Sequence, residues 1–171
     1  MRHLLSLTVA AALTLCATAA RAQSDTSSPQ TVRRQTLSTN PFGEIVQWYN
    51  VEYERAIGPA TTVGVAASTF ASMDYASASL LLRWYPQRTP LDGFYLGAKT
   101  GVYRFESYRR DATVLPGIGL EIGHNWLFGP TRNVSVGLGF GLTRLLGRGA
   151  DGYSVPTVLP NARLVNVGIA F

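Results

Sequence analysis

The C-terminal stretch N-A-R-L-V-N-V-G-I-A-F alternates with period 2. Val165, Val167, Ile169 and Phe171 share one face, and Leu164, Asn166, Gly168 and Ala170 share the other. That period belongs to a β-strand, whose successive side chains point to opposite sides. The same texture runs back to about Thr36, in stretches of about ten residues punctuated by Gly, Pro, Asp and Asn. Helical periodicity is hard to find anywhere in it. The pattern predicts eight strands: Arg34 to Phe42, Ile45 to Ile57, Thr61 to Phe70, Tyr75 to Tyr85, Phe94 to Glu106, Thr113 to Phe128, Asn133 to Leu146, and Val158 to Phe171.

Each strand sorts its residues by size as well as polarity. Val134, Val136, Leu138, Phe140 and Leu142 oppose Ser135, Gly137, Gly139, Gly141 and Thr143. In the sixth strand Ile118, Leu120 and Ile122 oppose Gly119, Glu121 and Gly123. A soluble barrel would turn the large apolar face inward and leave a glycine-rich outer surface. Glycine weakens a strand and offers nothing to pack. With the faces reversed, small residues let eight strands close around a few lumen side chains. The apolar face then needs lipid, because no second sheet is left to cover it. The predicted fold is all-β: a transmembrane antiparallel up-and-down β-barrel of eight strands. The even count puts both termini at one end.

The first residues change the picture of where this happens. Arg2 and His3, an apolar run from Leu4 to Ala20, and Ala20-Arg21-Ala22 before Gln23 fit a cleavable secretory signal. The expected organisation is residues 1–22 signal peptide, 23–35 a flexible Ser/Thr/Gln-rich leader, and 36–171 barrel. Cleavage removes Arg2 and Arg21 from the 15 basic residues and none of the 10 acidic ones, leaving a net charge of +3. It also removes Cys16, the only cysteine, so disulfide and thiol chemistry drop out. Cys16 follows Leu15, where a lipid-attachment signal would want a small residue. No basic run exceeds two residues, so nucleic acid is not an expected partner. No later apolar stretch reaches the roughly 20 residues that a membrane helix needs.

Aromatic residues gather near predicted strand ends, as interfacial girdles would require. One group is Trp84, Tyr85, Phe94, Tyr95, Trp126, Phe128 and Phe171. The other is Trp48, Tyr49, Phe70, Tyr75, Tyr103, Phe105 and Tyr108. The export signal, the eight alternating strands and the terminal V-N-V-G-I-A-F together resemble the small outer-membrane barrels of the OmpA/OmpX type. Asn40-Pro41-Phe42-Gly43 and Tyr53-Glu54-Arg55 are similar to an uncharacterised group of bacterial outer-membrane barrel domains. The resemblance implies the outer membrane of a Gram-negative bacterium as the location and the barrel-assembly machinery as a partner during insertion. It implies that Val165, Val167, Ile169 and Phe171 form the insertion signal that this machinery reads. It also implies outer-membrane lipid and lipopolysaccharide as surroundings, with the barrel expected as a monomer.

Candidate chemistry is sparse. A resemblance to outer-membrane lipid A deacylases would need His and Ser two residues apart, but His124 is followed by Trp126. His124 is expected as an interfacial side chain. One His, no mature Cys and scattered carboxylates predict no metal and no cofactor. Glu52, Glu54, Arg83, Lys99 and Glu121 all fall on the lumen face, where charges are costly unless paired, so an internal polar network is expected to plug the barrel. Arg104, Arg109, Arg110, Arg144, Arg148 and Arg163 fall near the outer rim, where guanidinium forks suit lipopolysaccharide phosphates. The expected function is non-enzymatic: a structural, surface-interaction or envelope-stability role. The alternatives are a small channel or carrier for a small or hydrophobic solute, a lipid A-modifying enzyme, and a soluble ligand-binding barrel.

Overall fold

The computed structural model describes residues 32–106, 112–147 and 158–171. The expected signal peptide and most of the expected leader lie outside the described residues. Eight strands form one closed sheet: β1 (Gln35–Thr39), β2 (Trp48–Ala56), β3 (Thr61–Phe70), β4 (Tyr75–Trp84), β5 (Gly93–Glu106), β6 (Ala112–Phe128), β7 (Val134–Leu145) and β8 (Val158–Ala170). Every neighbouring pair is antiparallel, and β1 pairs with both β2 and β8, so no edge remains. The β1–β8 seam continues past the strands: Gln35 N donates to Phe171 O at 3.0 Å, and Phe171 N donates to Gln35 O at 2.9 Å.

The predicted strands match the observed ones within a residue or two except at the start. β1 runs from Gln35 to Thr39, ending three residues short of the expected Phe42. Pro41 has no N–H for the ladder, and the Asn40 side chain instead accepts from Phe42 N at 3.0 Å. Gly43–Val46 then forms a 3₁₀ turn, so β2 starts at Trp48 rather than Ile45.

Polarity is inverted relative to a water-soluble domain. Leu120 is 71 % exposed, and Leu80, Leu82, Phe140, Leu142 and Ile169 also stand open on the outer surface. Among the described residues, buried polar side chains outnumber buried apolar ones. The inward glycines are seats for large lumen groups. A Cβ on Gly123 or Gly139 would collide with the Tyr95 hydroxyl, one on Gly137 with the Arg163 guanidinium, and one on Gly97 with Glu121.

One irregularity changes two predicted faces. Gly137 pairs with Asn166 but Gly139 pairs with Arg163, so β8 carries an extra residue opposite Leu138. This β-bulge inverts the alternation across Leu164 and Val165. Below it Asn166 and Ala170 are buried; above it Asn161 and Arg163 line the lumen cavity. Leu164, expected on the small inward face, is exposed on the outside together with Ile169 and Phe171, while Val165 and Val167 are half-buried.

Candidate functional site: the lumen ion network

Arg83, an inward residue of β4, stands at the centre of the lumen with a side chain only 1 % exposed. Its Nη1 donates to Glu52 Oε1 at 2.7 Å and to Glu54 Oε2 at 2.5 Å, and its Nε donates to Glu121 Oε1 at 2.6 Å. Nη2 adds a bond to Glu52 Oε2 at 3.1 Å. The carboxylates come from β2 and β6, so the guanidinium ties three strands across the barrel. Its flat face lies 4.5 Å from the centre of the Tyr95 ring, a cation–π contact.

Toward the end that carries both termini, Glu54 accepts from Tyr85 OH at 2.8 Å and from the Thr62 hydroxyl. Asn125 Nδ2 donates to Tyr85 OH at 2.7 Å. Arg163 links Glu52 to Asn125, its Nη2 pairing with Glu52 Oε1 at 3.0 Å and its Nη1 donating to Asn125 Oδ1. Lys99 Nζ donates to Asn161 Oδ1 at 3.3 Å, and Asn161 Nδ2 donates to Thr143 Oγ1 at 2.6 Å. The described lumen thus holds Glu52, Glu54 and Glu121 against Arg83, Lys99 and Arg163, a formal balance of zero.

Glu52, Glu54, Arg83, Lys99 and Glu121 all point into the lumen, and the three carboxylates meet at Arg83. Arg163 is the correction. It was expected at the outer rim with Arg104 and Arg144; the bulge turns it inward to Glu52. Arg104 and Arg144 do lie on the outward face near the far end, beside Val114 and Ile118 of β6 respectively. Arg109, Arg110 and Arg148 lie outside the described residues.

The aromatic girdles need a second correction, because a ring near a strand end can point inward as well as outward. Trp84, Phe94, Trp126, Phe128 and Phe171 do stand on the outward face at the terminal end. Tyr85, Tyr95 and Tyr103 are fully buried in the lumen. At the far end Tyr49 faces outward, whereas Trp48, Phe70, Tyr75 and Phe105 line the interior. Tyr108 lies outside the described residues. His124 is on the outward face as expected, its ring stacked on Trp126 with centroids 4.3 Å apart. No group of three His, Cys, Asp or Glu able to hold a metal ion occurs among the described residues.

Neither a family model nor a curated protein sequence matches the chain. Among solved structures, the N-terminal β-barrel domain of Pseudomonas aeruginosa OprF is similar, with a TM-score of 0.53 at 13% identity. The match covers 83% of this chain and 98% of that one. At that identity the likeness is one of fold: the chain is a closed, eight-stranded antiparallel up-and-down barrel of the kind that OprF domain forms.

Proposed function

We propose that the mature chain is an integral outer-membrane barrel with a structural, surface-interaction or envelope-stability role, its lumen plugged by the Arg83 network. The observation that carries this reading is the inverted polarity. An outer surface set with exposed leucines, isoleucines and phenylalanines needs lipid around it, and a charge-balanced interior needs no bulk water to be stable. The likeness to the OprF barrel domain supports the same location. With the termini at the periplasmic end, Phe171 and the outward ring of Trp84, Trp126 and Phe128 lie at the inner interface. The Phe171 strand then serves as the insertion signal. Arg104 and Arg144 lie toward the outer leaflet, placed to pair with lipopolysaccharide phosphates.

The reading is non-enzymatic. His124 is packed against Trp126 rather than against a nucleophile, and the buried carboxylates are committed to guanidinium groups. The test has two parts. The mature chain should stay in the outer-membrane fraction after a high-salt wash and run at a different apparent mass before and after boiling. In a planar bilayer the purified barrel should show no steady large conductance. Recovery in the soluble fraction overturns the membrane reading, and a sustained open current overturns the plug.

A further inference from the structure

Beyond the ion network, toward the far end, the lumen widens into a cavity of about 560 Å³, within the size range of small-molecule sites. Its rim is aromatic. Trp48 stands opposite Phe70, Phe70 opposite Tyr75, and Tyr75 opposite Phe105 in successive strand pairs. Directly opposed residues of antiparallel strands share a face, so the four rings form one inward collar. Tyr75 and Phe105 are 5.5 Å apart at a tilt of 56°. Trp48 is held in place by a bond from its Nε1 to Ser68 Oγ at 2.6 Å.

The floor is cationic in what it leaves unused. Glu52 and Glu121 reach the cavity but already carry guanidinium partners. Lys99 also reaches it, and among the described residues its ammonium has one hydrogen bond, to Asn161, and no carboxylate within ion-pairing distance. An ammonium has three donors. Beside it, Arg163 lines the cavity with a side chain 9 % exposed, and its buried Nε has no hydrogen-bond partner. Buried donors of this kind are normally satisfied. Lys99, with donors to spare, therefore lies beneath an apolar collar, and the Arg163 guanidinium adds positive charge to the same wall.

We propose that this vestibule binds a small amphipathic carboxylate, its anionic head on Lys99 in the positive field of Arg163, its apolar body within the collar of Trp48, Phe70, Tyr75 and Phe105. Charge-assisted hydrogen bonds are strengthened where apolar walls exclude water, so the head group sets the affinity and the collar sets the shape. The site does not depend on whether the network beneath it closes the lumen.

The test uses the mature chain in phosphatidylcholine nanodiscs, carrying Trp84→Phe and Trp126→Phe so that Trp48 is the sole remaining tryptophan of the three. Trp48 emission is followed while 2-naphthoate, 2-naphthamide or 2-naphthylmethylammonium is added. The expected result is a saturable change with naphthoate, at least tenfold tighter than with the amide, and none with the cation. Lys99→Gln should abolish the gap between acid and amide, and Lys99→Arg should keep it. Equal affinities for the three probes, a change that never saturates, or a Lys99→Gln variant that binds naphthoate as before would overturn the proposal. If Lys99→Gln fails to fold, the three probes on the Lys99 protein decide the question alone.

Discussion

Replacing Arg83 by Met removes the one side chain on which the lumen network converges while nearly keeping its length. Four contacts are lost, at 2.5, 2.6, 2.7 and 3.1 Å, to three carboxylates. Each charge-assisted bond contributes about 1.5–3 kcal/mol, but that sum is not the expected loss, because much of it offsets the desolvation of four buried ions. The relevant figure is the cost of breaking a buried pair from one side, about 3–5 kcal/mol. The lower end fits here. Glu52 keeps Arg163 at 3.0 Å, and Glu52 and Glu121 border a cavity that admits water. Glu54 has no such relief; it is fully buried, with only Thr62 and Tyr85 left to donate. Arg83→Met should therefore destabilise the barrel by about 3 kcal/mol, and adding Glu54→Gln should recover about 1–2 kcal/mol by removing the stranded charge. Reversible urea unfolding in lipid vesicles, followed by tryptophan emission, measures both. A loss below about 1 kcal/mol, or a double variant no more stable than the single one, refutes the claim that Arg83 is what makes these carboxylates tolerable.

Five other outcomes follow from the same geometry. Tyr85→Phe removes a hydroxyl that bridges Glu54 and Asn125 and should cost about 1–3 kcal/mol in the same assay. Gly123→Ala drives a methyl group into the Tyr95 hydroxyl and the Leu138 carbonyl, for a loss of about 1–3 kcal/mol. Gly58→Ala meets nothing within 4 Å and should stay within about 0.5 kcal/mol of the parent. Arg163→Gln should lower unfolding stability by about 1–3 kcal/mol, since it strips Glu52 of a partner; Arg144→Gln should leave stability nearly unchanged and reduce lipopolysaccharide co-purification. Equal effects of the two arginine variants on stability would contradict the separate locations given to them. Phe171→Ala should slow insertion into vesicles while leaving the unfolding midpoint of the inserted barrel close to the parent's, which a time course of heat-modifiable migration can show.

The strand count and the lumen charges were legible in the sequence because both depend on a period of 2, and a sheet closed on itself enforces that period along nearly its whole length. Glu52 and Glu54, two residues apart, have to share a face, and so do the small residues around Glu121. What could not be read was which charges meet. Arg83 reaches Glu52 from a strand 31 positions later in the chain and Glu121 from 38 positions earlier, and only the barrel's stagger sets those heights. The far aromatic group was misread for a different reason. Tyr75, Tyr103 and Phe105 sit near strand ends, as a girdle requires, but they share the parity of Ser79 and Lys99 and so belong to the lumen. Parity, already in the sequence, outranks position along the strand.

Arg163 shows where the alternation rule breaks and how the break announces itself. Extending the C-terminal alternation of Val165, Val167, Ile169 and Phe171 toward the N-terminus puts Arg163 on the outward face, which in the proposed membrane setting is among lipid tails. A charged residue there costs about 2–4 kcal/mol at the bilayer midplane. The chain avoids this cost with one extra residue. Asn161 and Arg163 are two apart, but Arg163 and Asn166 are three apart, and the residues between the latter pair are Leu164 and Val165. Two adjacent apolar residues flanked by inward polar ones cannot be threaded on a regular strand without burying one of them or exposing one polar group to lipid. A bulge satisfies both faces at once, and it lies opposite Leu138, between Gly137 and Gly139, inward positions of β7 with no side chain to obstruct the guanidinium. A valine at position 137 would close that seat, so Gly137→Val should destabilise the barrel at least as much as Arg163→Gln does. If Gly137→Val unfolded at the same urea concentration as the parent, Arg163 would have to occupy some other place than the one it has beside Glu52.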